Sequence, residues 1–177
     1  MIERANAAPG LPWSPDAAVT IDGTGVRIRG SIDRLDHNVS LNAVRVSDYK
    51  TGAEPAKAGQ IVLAGGRELQ RVLYALAARQ LMPDNPRVVA RLIYLRGDRP
   101  NAYKLADIDA AIAETTAHVN VARDLLTRGV SLAGPDAREA TNAFRLALPA
   151  AAASYFAIKQ AAFAQRFGQF ARVWSSR

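Results

Sequence analysis

Gly30-Ser31-Ile32-Asp33-Arg34-Leu35-Asp36, followed eleven residues later by Asp48-Tyr49-Lys50-Thr51-Gly52, is the stretch that decides how this chain folds. In a β-strand successive side chains point to opposite faces, so Asp48 and Lys50 share one face, with Val44 and Val46 behind them. The preceding run, Val26 to Leu35, also alternates. Pairing of the two segments through the turn-prone His37 to Asn42 linker brings the Asp33 face beside Asp48. Two carboxylates and a lysine then meet on neighbouring strands. Asp36, three residues from Asp33, falls on the opposite face, which points to a structural role, paired with Arg34 or Arg45. Arg27 and Arg29 share the Asp33 face, either as phosphate contacts or as balance for the acidic cluster.

Downstream, Thr51 to Gly65, with Pro55 and three glycines, reads as a mobile loop on the side of these residues. Arg67 to Met82 has the helix period in Leu69, Leu73, Leu76 and Leu81, and Pro83 stops it. Arg67, Gln70, Arg71 and Tyr74 lie three and four residues apart, so they form one polar face. That face suits either a phosphate backbone or plain solvent. Arg87 to Leu95 is β-favouring and adds a strand after the helical crossover, and Ala102 to Leu105 returns as a short edge strand.

Asp107 caps a helix running to about Arg128, with Ile108, Ile112, Val119, Ala122 and Leu126 inward and Gly129 beyond its end. His118 on that helix reads as a surface or packed residue. Gly134 to Leu148, between Pro135 and Pro149, is ambiguous. Ala150 to Trp174 reads as a long helix whose stripe of Phe156, Phe163, Phe167, Phe170 and Trp174 serves packing. Upstream, Met1 to Pro15 is an irregular lead-in, and Ala18 to Ile21 forms a hairpin with Val26 to Leu35 across Asp22 to Gly25.

A chain of 177 residues, 49% hydrophobic and 22% charged, suits one globular domain with a substantial core. It has no apolar run of membrane-spanning length and no signal peptide at its start, so a cytoplasmic location without membrane association is expected. The lack of cysteine excludes disulfides, thiolate catalysis and an iron–sulfur cluster held by cysteines. A net charge of +7 favours a polyanionic partner, nucleic acid first, although an arginine-rich composition habit explains the same number.

Phosphodiester hydrolysis needs a cation that polarises the phosphate and assists an attacking water, and hard cations such as Mg²⁺ take carboxylate oxygens. Asp33 and Asp48 offer such oxygens. Lys50 can orient the water or stabilise charge developing on the phosphate. The ordered set Gly30-x-x-Asp33, Asp48-Tyr49-Lys50-Thr51-Gly52 and Gln70-x-x-x-Tyr74 resembles the PD-(D/E)XK nucleases of the RecB/AddB exonuclease group. The resemblance is dense over roughly residues 25 to 80.

It implies an α/β fold with a restriction-endonuclease-like core, a mixed central sheet flanked by helices and a long carboxy-terminal helix. It further implies Mg²⁺ (or Mn²⁺) held by Asp33, Asp48 and the Tyr49 carbonyl. Lys50 and Gln70 would be catalytic, and Tyr74, Arg67 and Arg71 would lie against DNA. The partners implied are DNA and a helicase domain or subunit in repair or recombination. Family members also carry an upstream helix with a histidine or acidic ligand, which is not readable before residue 16. The expected organisation is therefore a lead-in over 1–15 that marks a truncation point and one domain over 16–177. Its core covers about 18–105 and its helical carboxy-terminal part about 106–177. The rival reading is a catalytically weak or inactive nucleic-acid-binding or scaffolding module of the same fold.

Overall fold

One buried strand, Ala43–Lys50, sets the architecture, because valine and small residues along it allow neighbours on both sides. The computed structural model describes residues 13–14, 16–130, 146, 148–150 and 152–175, with the side chains of 152, 167 and 169–175 left aside. The described strands are β1 (Val19–Ile21), β2 (Val26–Ile28), β3 (Arg34–Asn38), β4 (Ala43–Lys50), β5 (Arg87–Tyr94) and β6 (Asn101–Lys104). The helices are α1 (Gln70–Leu81), α2 (Ile108–Thr127) and α3 (Ala152–Ser175). The main sheet has the order β3-β4-β5-β6, antiparallel at both edges and parallel at its centre, where α1 makes the crossover. This is the mixed sheet with flanking helices that the restriction-endonuclease-like arrangement requires.

Helix α1 is rich in leucine and alanine, residues of high helix propensity, and it ends where Met82 turns extended ahead of Pro83. It buries Val72, Ala75 and Ala78 against Val44, Val46 and Ala90 of β4 and β5. Each fully buried branched side chain there contributes about 1.5–3 kcal/mol of transfer free energy. Trp13 packs at the margin of the same cluster. The β1–β2 hairpin sits on the other side of α1 through Val19, Ile21 and Leu76, and Gln80 fastens it by bonding both backbone groups of Thr20. No helix among the described residues is long and apolar enough to cross a membrane.

Four expectations need correction. The run Val26 to Leu35 is two strands in two sheets, since Arg29, Gly30 and Ser31 are all exposed and the chain bends at Asp33 before β3 begins. Three exposed residues in succession end the alternation that holds a strand to a core. Second, β3 continues through His37, so the turn is only Val39 to Asn42. Asn42 has φ 42° and its amide donates to the Val39 carbonyl at 3.1 Å.

Third, the segment after Lys50 is packed rather than free: Ala58 is buried in one short 3-10 turn and Leu63 is buried just ahead of a second. Fourth, Ala122 and Leu126 of α2 face solvent, while Ala111, Ile112, Thr115 and Val119 face inward. The 20 residues of α2 outrun the 12 of α1, about 30 Å against about 18 Å, so its far end extends beyond α1.

Asp107 does cap α2, accepting from the Ala110 amide at 2.9 Å, and Gly129 follows its end with φ 65°. On α3, Phe156 and Phe163 are buried as the packing reading expects. The side chains of Phe167, Phe170 and Trp174 lie outside the described residues, as do most of 1–15 and 134–148.

Candidate active site

The alternation of β4 carries Val44 and Val46 into the core beneath α1, so Asp48 and Lys50 come out on that same face at the strand's carboxy-terminal end. There they meet the start of α1. The Lys50 Nζ lies 2.7 Å from Asp48 Oδ2, 3.1 Å from Glu68 Oε2 and 2.6 Å from Gln70 Oε1, to which it donates. Asp33, at the bend ahead of β3, is fixed through both oxygens. Oδ2 accepts from the Tyr49 amide at 3.1 Å and Oδ1 accepts from the Tyr74 hydroxyl at 3.2 Å. Asp33, Asp48, Tyr49, Lys50, Gln70 and Tyr74 are thus joined in one network, drawn from a bend, a strand and one turn of helix.

The network holds more negative than positive charge: Asp33, Asp48 and Glu68 against the Lys50 ammonium. The Asp48 side chain is only 2% exposed. Burial pushes its carboxyl up, Lys50 pulls it down, and the Glu68 and Asp33 carboxylates add to the rise, leaving it at about 6. For Lys50, burial works against the charged form, but contacts with Asp48 and Glu68 outweigh it and hold the ammonium above its ordinary value. Burial, then the Asp33 carboxylate, likewise pushes the Tyr74 phenol up, so Tyr74 stays a donor.

The fit to a hard divalent cation rests on the donors themselves. Asp33 and Asp48 face one another, and Asp48 Oδ2 is buried beside Lys50 without a hydrogen bond of regular geometry among the described residues. Oxygens left so are what a cation would satisfy. Among the described residues no three His, Cys, Asp or Glu side chains together form a metal cluster, so the Tyr49 carbonyl and water would have to complete the shell.

One of the residues read as a DNA-facing surface goes elsewhere. Arg71 is 1% exposed, and its guanidinium donates to the Tyr103 carbonyl at 3.1 Å and to the Ile61 carbonyl. It clamps the segment after Lys50 to α1 and β6 and cannot reach a phosphate backbone from there. Arg67 is exposed, and its Nε donates to the Ala64 carbonyl at 3.2 Å. Asp36 pairs with Arg34 and Arg45 at 2.9 and 3.0 Å, which is the structural role expected of it. Arg29 lies 3.7 Å from Asp16.

Sequence reasoning missed Glu68. It is the one acidic residue between Glu54 and Asp84, just ahead of the Gln70 turn, and that isolation was the available signal. It also missed Glu54, which accepts from the Tyr103 hydroxyl and from Asn101 Nδ2 at 2.7 Å and so ties the same segment to β6. A family model described as the PD-(D/E)XK nuclease superfamily matches residues 2–166. No curated protein and no solved structure matches the chain.

Proposed function

The chain belongs to the PD-(D/E)XK nuclease superfamily, and from that premise we propose that it hydrolyses phosphodiester bonds in DNA using Mg²⁺ or Mn²⁺. Within the superfamily we assign it to the RecB/AddB-like exonucleases, acting beside a helicase domain or subunit in DNA repair or recombination. The observation that carries the reading is the single network joining Asp33, Asp48, Lys50, Gln70 and Tyr74, three motifs far apart in sequence.

Asp33, Asp48 and the Tyr49 carbonyl would hold the cation, whose chemistry when bound is to polarise the phosphate and ease deprotonation of a water. The chain's own groups do the rest. The Tyr74 hydroxyl and the Tyr49 amide keep the Asp33 carboxylate turned toward Asp48. Lys50 donates to Gln70 and offers its ammonium to a phosphate oxygen that gains charge. The net charge of +7 favours approach of the polyanion.

The second reading, a nucleic-acid-binding module without catalysis, is favoured by the absence of a three-side-chain metal cluster among the described residues. Incubation with linear duplex DNA and with covalently closed circles in Mg²⁺ separates the two. The proposal expects linear DNA to be degraded and circles spared. Cutting of circles would contradict the exonuclease assignment, and salt-sensitive binding without cleavage of either would support the second reading.

A further inference from the structure

Resting on the nuclease reading, we propose that Glu68 is a positioning residue that aims Lys50 from the helix side of the site. An ammonium has three donors and no acceptor, and here its nitrogen donates to Gln70 and lies within ion-pair distance of both Asp48 and Glu68. Two of these partners are weak anchors for the task. Asp48 is on the lysine's own strand and is itself wanted as a cation donor, while Gln70 is exposed and neutral. Glu68 is the fixed charge on the helix side, only 8% exposed.

Its backbone is fixed as well. The buried Leu63 carbonyl accepts from the Gly66 amide at 2.8 Å and the Glu68 amide at 3.1 Å, across a turn in which Gly65 and Gly66 have φ 67° and 89°. A flexible four-carbon stem needs such an opposing charge to occupy one geometry.

Glu68 Oε1 is buried with no hydrogen-bond partner among the described residues. A purely structural carboxylate left like that lowers stability, which an aiming role explains. Glu68 forms no three-side-chain metal cluster with Asp33 and Asp48. The network therefore divides into an Asp33–Asp48 half for the cation and a Lys50–Glu68–Gln70 half for the phosphate.

The test uses the whole chain as wild type, Glu68→Gln and Glu68→Asp, with two readouts. The first needs no cleavage. Trace labelling by acetic anhydride, read by mass spectrometry, compares Lys50 with Lys57 and Lys104 of the same molecule. Loss of one close charge contact is expected to raise relative labelling of Lys50 roughly tenfold in Glu68→Gln, with Glu68→Asp between it and wild type. The second is DNA cleavage, where kcat in Glu68→Gln should fall roughly tenfold with KM within about twofold, since Glu68 lies beneath the site.

Unchanged labelling of Lys50 in a folded Glu68→Gln protein overturns the proposal, whatever the cleavage rates. If that variant does not fold, Glu68→Asp decides alone: labelling above wild type supports the role and labelling equal to it overturns it. Raised labelling with no cleavage by wild type leaves the positioning role standing and defeats the nuclease reading instead.

Discussion

Replacing Asp48 by asparagine should stabilise this protein at neutral pH, although the residue makes a 2.7 Å ion pair. The reasoning runs through the carboxyl's shift from 3.8 to about 6. A rise of about two units corresponds to about 3 kcal/mol favouring the neutral form in the folded state, which screening at the open side of the site reduces to about 1–2 kcal/mol. The folded value lies above the unfolded one, so this contribution to stability is fully present below pH 3.8 and is lost as pH rises through about 6. At pH 7 wild type bears the whole cost of the charge.

Asp48→Asn removes that cost while Lys50 keeps Glu68 and Gln70 as partners. The expected gain is about 1–2 kcal/mol at pH 7, or roughly 2–8 °C in Tm for a domain of this size, shrinking toward zero near pH 4. Thermal melts of both proteins from pH 4 to 8, without divalent metal, measure it. Mg²⁺ at millimolar concentration should raise the melting temperature of wild type and leave Asp48→Asn unmoved. A variant less stable than wild type at pH 7 would refute the reasoning, because it would mean that attraction to Lys50 outweighs burial and carboxylate repulsion.

Two further outcomes follow from the segment between Lys50 and α1. Arg71→Ala should destabilise the fold by about 2–4 kcal/mol in urea unfolding, since it strips the part-buried Ile61 and Tyr103 carbonyls of their donor and leaves a void where the buried guanidinium lay. A surface phosphate contact would instead alter only DNA affinity and its salt dependence. Gly66→Ala meets nothing within 4 Å but requires φ 89°, so it should cost about 1–2 kcal/mol in the same assay and loosen the aim of Glu68, raising trace labelling of Lys50.

The parts legible in the sequence were those set by short-range periodicity. Two-residue alternation placed Asp48 and Lys50 on the valine face of β4, and the helix period with Pro83 gave α1 and the crossover between parallel strands. The Asp107 cap and Gly129 marked the ends of α2 because capping is local chemistry. What escaped depends on which neighbour arrives. The helix period put Arg71 on a face with Gln70 and Tyr74, but whether a helix face meets solvent or a folded-back loop is decided by tertiary packing, and here Ile61 and Tyr103 came to cover it. Glu68 was invisible for the complementary reason: nothing local predicts that a Gly-Gly turn will carry a lone glutamate beneath a lysine eighteen residues earlier. The break between β2 and β3 left a trace in three consecutive polar or small residues, outweighed by the alternation on either side.

The most direct measurement of the central claim is single-turnover cleavage of linear duplex DNA by wild type and Lys50→Ala, each in Mg²⁺ and in excess chelator. Wild type with Mg²⁺ should degrade the DNA, the chelator should abolish the reaction, and Lys50→Ala should be slower by about 100- to 1,000-fold, the usual cost of removing one charge-stabilising donor. Equal rates for the two proteins, or cleavage that persists in chelator, would contradict the assignment of this site.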